Sequence, residues 1–213
     1  VLTGQQLQNG DYVLTGYGAY SFDSTIVYVV RTDEMGNKKW ERYIDTEKDY
    51  GEAVSITENQ EGNLILGGLT ANRHNWGDDF LYYEDGLMIV LDSAGNEVHR
   101  RFFESPEERN DCPPHLNSLP QGGYLIWGCE IIPLGHGSNS PAFSSHFVAK
   151  LDDNYKIIWQ TFLDDKMLEN GAGKKKIYKV IALEDGDFLA IGGHAPHWNT
   201  SPIWAWIGRF SKE

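Results

Sequence analysis

Sulfur and positive charge are both scarce in this chain. Its 213 residues include two cysteines, three methionines and 18 lysines and arginines, against 31 aspartates and glutamates. The net charge of −13 repels phosphate, which excludes a nucleic-acid binder and plain adsorption to anionic lipid. No apolar run approaches the roughly 20 residues of a membrane helix, so membrane insertion is not expected. A P-loop, a dinucleotide fingerprint, a nucleophile elbow and a CxxC pair are all missing. No catalytic residue and no cofactor is therefore expected. Neither a signal peptide nor an initiating Met is present, and the chain begins inside an expected strand. It reads as a processed or excised segment whose export stays open.

Glycine and aromatic residues are plentiful, with 23 glycines and 13% Phe, Trp and Tyr. Their spacing carries a repeat. Gly10, Gly62, Gly122 and Gly186 each open an apolar run that reaches a second glycine at Gly16, Gly68, Gly128 and Gly192. A first glycine suits a turn needing positive φ, and the triplets between (Leu64-Ile65-Leu66 in the second copy) suit strands buried on both faces. Thr32-Asp33, Leu91-Asp92, Leu151-Asp152 and Phe210-Ser211 recur about every 60 residues. Trp40, His99 and Trp159 follow at one fixed offset; a tryptophan repeated in this way reads as packing between units.

Each copy resolves into strands a to d, a four-stranded antiparallel meander that cannot bury both faces alone. The expected fold is all-β: a β-propeller of about four four-stranded blades, at about 1–44, 51–103, 113–163 and 176–211. The last blade lacks its outer strand, and the whole is one propeller domain or a segment of a larger ring. A β-sandwich is the competing architecture.

The second copy, EAVSITENQEGNLILGGLT followed by GLMIVLDSAGNEVHRRFF, resembles the repeat of secreted and surface bacterial β-propeller proteins. The first copy, QNGDYVLTGYG with VVRTDEMGNKKWERYI, resembles it equally, and the likeness runs over nearly the whole chain. His99 departs from the aromatic pattern, as does Asp152-Asp153-Asn154 from the Gly-Asn turn. The resemblance implies a display or interaction module at an extracellular, cell-surface or periplasmic location.

In a meander the a–b and c–d turns share one end of the sheet, and the b–c loops and d–a crossings share the other. Here the first kind are short and the second long, at 17–24, 70–85, 131–145 and 194–202 for the b–c loops. Candidate ligand-binding residues on these loops are His74, Trp76, Tyr82, His136, His194, His197 and Trp198. They point to a protein or glycan partner, because flat amphipathic rings stack on sugars or anchor proteins. His194-x-x-His197 has metal-like spacing but spans a proline in a loop with no third ligand, so no metal is expected. Asp92-Ser93-Ala94-Gly95-Asn96 is a turn, not a calcium loop.

The alternative is a carbohydrate-active enzyme of the glycoside hydrolase kind, with Asp78, Asp79 or Glu130 at the propeller mouth. Cys112 and Cys129 face each other if their hairpin turns at Pro120-Gln121; a bridge and two free thiols both remain open. Assembly with further blades or with a second copy would cover the two apolar end faces.

Overall fold

The computed structural model describes residues 1–21, 24–76, 79–103, 110–111, 114–133, 142–163, 174–195 and 204–210. The described residues are all β and contain no helix. Four antiparallel sheets follow one another along the chain. The first takes β1 (Thr3–Gln6), β2 (Tyr12–Ser21), β3 (Ser24–Thr32) and β4 (Lys38–Ile44) in order. The second takes β5 (Tyr50–Glu58), β6 (Leu64–Trp76), β7 (Asp79–Leu91) and β8 (Glu97–Phe103). The third takes β10 (His115–Ser118), β11 (Tyr124–Pro133), β12 (Ala142–Leu151) and β13 (Ile157–Leu163), with the short β9 (Asn110–Asp111) beside β11. The fourth has only β14 (Lys174–Ala182), β15 (Phe188–Ala195) and β16 (Trp204–Phe210). The missing outer strand of the last repeat is thus seen among the described residues; β9 is a strand the sequence did not announce. The chain divides into two compact units, Val1–Ser118 and Leu119–Glu213.

The turns show why the repeat reads as it does. Asp33 Oδ1 accepts the backbone N–H groups of Met35 and Asn37, at 3.0 and 2.8 Å. Asp92 repeats this with Ala94 and Asn96, and Asp152 with Asn154 and Lys156. A carboxylate that takes two backbone donors fixes the turn and satisfies amides the ladder cannot reach. Gly36 and Gly95 hold φ of 85° and 81° at its corner. In the third copy Tyr155 adopts φ 62° at that position and stacks on Tyr124, ring centroids 5.3 Å apart.

The second glycine of each repeat lies inside its strand: Gly16, Gly68, Gly128 and Gly192 all belong to strands that run on past them. Gly68 sits opposite a bulge in β5 between Ala53 and Ser55. A Cβ there would lie 1.9 Å from the Glu52 carbonyl oxygen, so only glycine admits the close approach.

The expected long b–c loops are also corrected. Residues 70–85 are mostly paired strand, with β6 and β7 in register from Leu64↔Leu91 to Trp76↔Asp79. Residues 17–24 are likewise a β2–β3 hairpin, with Tyr17↔Val27 and Ser21↔Ser24. The 131–145 segment keeps pairing to Pro133↔Ala142, and β15 carries 194–195. Mutual pairing gives alternate backbone amides a partner across each hairpin, and the Phe80–Tyr83 run has high strand propensity.

In the first unit, the face of the first sheet bearing Val13, Val27 and Val29 packs against Leu64, Leu66, Leu87, Ile89 and Leu91 of the second. Each fully buried side chain contributes roughly 1.5–3 kcal/mol. Trp40 packs over Gly95 and its indole N–H donates to the Ser93 carbonyl at 3.2 Å, while Arg42 reaches the Gly95 and Ala94 carbonyls. The repeated tryptophan therefore joins one sheet to the next, as expected of it. Trp159 does the same in the second unit, stacked on Phe188 at 5.3 Å, which in turn stacks on Phe210 at 5.4 Å. Among the described residues no helix is long and apolar enough to cross a membrane.

Candidate functional site

The β4–β5 connection is short of apolar residues because it must cross from one sheet to the next in contact with water. Asp45, Glu47, Lys48 and Asp49 of this crossing line a cavity of about 400 Å³ together with Thr25 of β3 and Asn72 of β6. The start of β3, the sheet-to-sheet crossing and the β6–β7 hairpin thus meet at one end of the first unit. This is the grouping of b–c and d–a segments that alternation predicts. In the second unit a cavity of about 480 Å³ is lined by Gln121, Asp185 and Gly186 of the a–b turns with Trp159 and Phe188, at the end carrying short turns.

The crossing is held from several sides. Thr25 donates its amide to the Asp49 carbonyl at 3.1 Å, and its hydroxyl is bonded to both the N–H and the carbonyl of Gly51. Beneath it, the buried Thr70 hydroxyl bonds Thr46 Oγ1 and the Tyr50 carbonyl, each at 2.9 Å. Glu47 takes φ 62° while its amide donates to Asp45 Oδ1 at 2.8 Å. Lys48 pairs with Asp85 and lies 5.6 Å from the centre of the Phe102 ring. With that lysine engaged, three exposed acidic residues, Asp45, Glu47 and Asp49, remain in the cavity lining. Such a wall accepts hydrogen bonds and suits a ligand rich in hydroxyl or ammonium donors.

A second cluster lies beside it on the second sheet. Register places Tyr50, Ala71 and Glu84 in one line across β5, β6 and β7, with Glu52 two residues along. Tyr50 Oη donates to Glu52 Oε2 at 2.9 Å. Burial raises the Glu84 pKa, and the charge of Glu52 raises it further. Burial, with the Glu52 hydrogen bond, also pushes the Tyr50 phenol well above its ordinary value. Among the described residues no group of three or more His, Cys, Asp or Glu could hold a metal ion.

Of the residues singled out from the sequence, His74, Trp76 and Tyr82 come together in the one β6–β7 hairpin, where His74 pairs with Leu81, Tyr82 with Arg73 and Trp76 with Asp79. His194 is on β15, between Lys175 of β14 and Trp204 of β16. For these four the structure describes the backbone. His136, His197 and Trp198 lie outside the described residues, as does Asp78. Asp79 closes the hairpin register, and Glu130 on β11 pairs with Ser145. The sequence reading missed the Asp45–Asp49 wall and the Tyr50, Glu52, Glu84 cluster. The signal that could have found them is the acidic crossing itself, whose charges have no apolar face to serve.

Cys129 is disulfide-bonded, and Cys112 is the other cysteine of the chain. The bridged alternative of the two left open by the sequence is therefore the one that holds.

No family model matches the chain, and no curated protein matches it. Among solved structures it resembles a protein of unknown function from Dyadobacter fermentans DSM 18053. The TM-score is 0.63 at 11% identity, over 96% of this chain and 63% of that one. At that identity the likeness is one of fold alone, and this chain spans less than two thirds of its neighbour's length.

Proposed function

We propose that the four sheets are the blades of a β-propeller, and that the protein is a non-catalytic binding or scaffolding module of an exported or surface-associated bacterial protein. It takes a protein or glycan partner at the end of the sheets that carries the long hairpins. The observation that supports this most directly is the cavity where the Asp45–Asp49 crossing meets Thr25 and Asn72. A wall of exposed acidic residues lies at the base of a hairpin rich in Trp and Tyr. Acceptors take sugar hydroxyls or a partner's lysines, while aromatic rings supply flat apolar area. The disulfide at Cys129 supports an oxidising compartment, where such bonds persist. The test is binding to an immobilised glycan panel and to bacterial surface extracts, comparing the parent with Trp76→Ala, Trp198→Ala and Asp49→Asn. At least a tenfold loss in each variant, with unchanged melting, is the expected result. Equal binding by all four proteins refutes this location.

A second reading rests on Glu84 and Glu52. Two neighbouring carboxyls with one pKa raised are the elements of glycoside hydrolysis, with Glu84 as acid and Glu52 as base or nucleophile. Chromogenic glycosides decide it: hydrolysis abolished in Glu84→Gln supports an enzyme, and no turnover of any substrate by the parent removes the idea.

A further inference from the structure

The repeat packs its sheets with a constant polarity. Aligned on the second glycine, Val13, Ile65, Leu125 and Leu189 are equivalent positions, and so are Leu14, Leu66, Ile126 and Ala190. In the first unit the Val13 face of the first sheet packs on the Leu66 face of the second. In the second unit the Leu125 face of the third sheet packs on the Ala190 face of the fourth. One face type always meets the other.

This leaves one face of each type open. Residues 64–71 of the second sheet and 123–129 of the third are buried without alternation, whereas the first and fourth sheets alternate. The open face of the fourth sheet has two rungs, Lys179↔Ile191↔Ile207 and Ile181↔Leu189↔Arg209. Ile207 is 69% exposed and Ile181 45%. The open face of the first sheet carries Leu14↔Val30↔Glu41 and Gly16↔Tyr28↔Tyr43, with Tyr43 61% exposed. The former is the Val13 type and the latter the Leu66 type. Charge is balanced within each face, Arg209 by Asp185 and Asp187 on one and Glu41 by Lys38 on the other, so apolar side chains are what each offers a partner.

We propose that a second copy of this chain covers these faces, head to tail, the fourth sheet of one copy packing on the first sheet of the next. A second copy offers each open face the partner type that the repeat already selects twice within the chain. The contact is heterologous, joining two different surfaces, so it closes a ring of copies or extends. It does not depend on the ligand reading above and stands if that reading fails.

Sedimentation or light scattering over a concentration series tests it. The expected mass is at least twice the 24.1 kDa of one chain, falling on dilution. Ile207→Asp and Tyr43→Asp, both at exposed positions, should each give the single-chain mass with unchanged melting. Mixing the two variants should restore a two-copy species, because the mixture retains one intact pair of faces. A single-chain mass for the parent at all concentrations overturns the proposal. So does association that survives in Tyr43→Asp alone, which would mean that like faces meet.

Discussion

At the scale of residues, two glycines of the same chemistry do different work. Gly62 turns a corner at φ 81° with nothing within 4 Å of an added Cβ, whereas a Cβ at Gly68 would overlap backbone. Gly62→Ala should cost about 1–2 kcal/mol through the left-handed conformation alone. Gly68→Ala should cost about 4 kcal/mol or more, because the Glu52 carbonyl cannot move aside without breaking the β5–β6 ladder. Urea unfolding of both variants checks the order, and a reversal would mean that the bulge in β5 is not fixed. Asp11 sets a pH dependence. The Lys39 ammonium, above all, and then Asn9 and Arg31 hold its buried carboxyl at about 2 in opposition to desolvation. A carboxyl lowered on folding stabilises the fold above its unfolded pKa and loses that contribution as pH falls through the folded value. Asp11→Asn should therefore lower the melting temperature at pH 7, and the gap from the parent should close between about pH 4 and pH 2. Calorimetry across that range measures it; a constant gap would exclude a role for the charge.

At the scale of elements, the Asp-anchored turns were legible because their determinants are local. Asp33 and its two amides sit within four residues of one another, as do Asp92 and Asp152 with theirs. The hairpins were less legible. The 70–85 segment is polar enough to read as a loop, yet β6 and β7 stay in register to Trp76↔Asp79. Beyond Tyr50↔Ala71 and Gly86↔Phe103 the hairpin is a two-stranded ladder with no neighbouring strand of its sheet beside it. Replacing 73–82 by a two-residue Asn-Gly turn should thus leave the melting temperature within a few degrees while removing ligand binding. Circular dichroism and the glycan panel give the two readouts. A collapse of stability would make this hairpin part of the folding core.

At the scale of the whole molecule, the first and second sheets are joined through one face, as are the third and fourth, with tryptophan and arginine side chains of the first sheet seated on a turn of the second. The first and fourth sheets also hold large apolar side chains in water, Tyr43 on one and Ile181 and Ile207 on the other. The self-association expected above follows at this scale. It is the surface, not the fold, that a salt or concentration series would probe.

The sequence by itself determined the all-β class, the four repeats, the order of strands and the turn positions. Each follows from periodicity and turn chemistry within a few residues. Tertiary structure decided why the second glycine is needed, since that depends on a bulge in a neighbouring strand. It turned an acidic crossing into a cavity wall by bringing Thr25 and Asn72 to Asp45 and Asp49. It placed Glu84 beside Glu52, where burial rather than composition raises a pKa. It also distinguished the open faces from the covered ones, because residues of one repeat pattern are buried or exposed according to the neighbour packed on them.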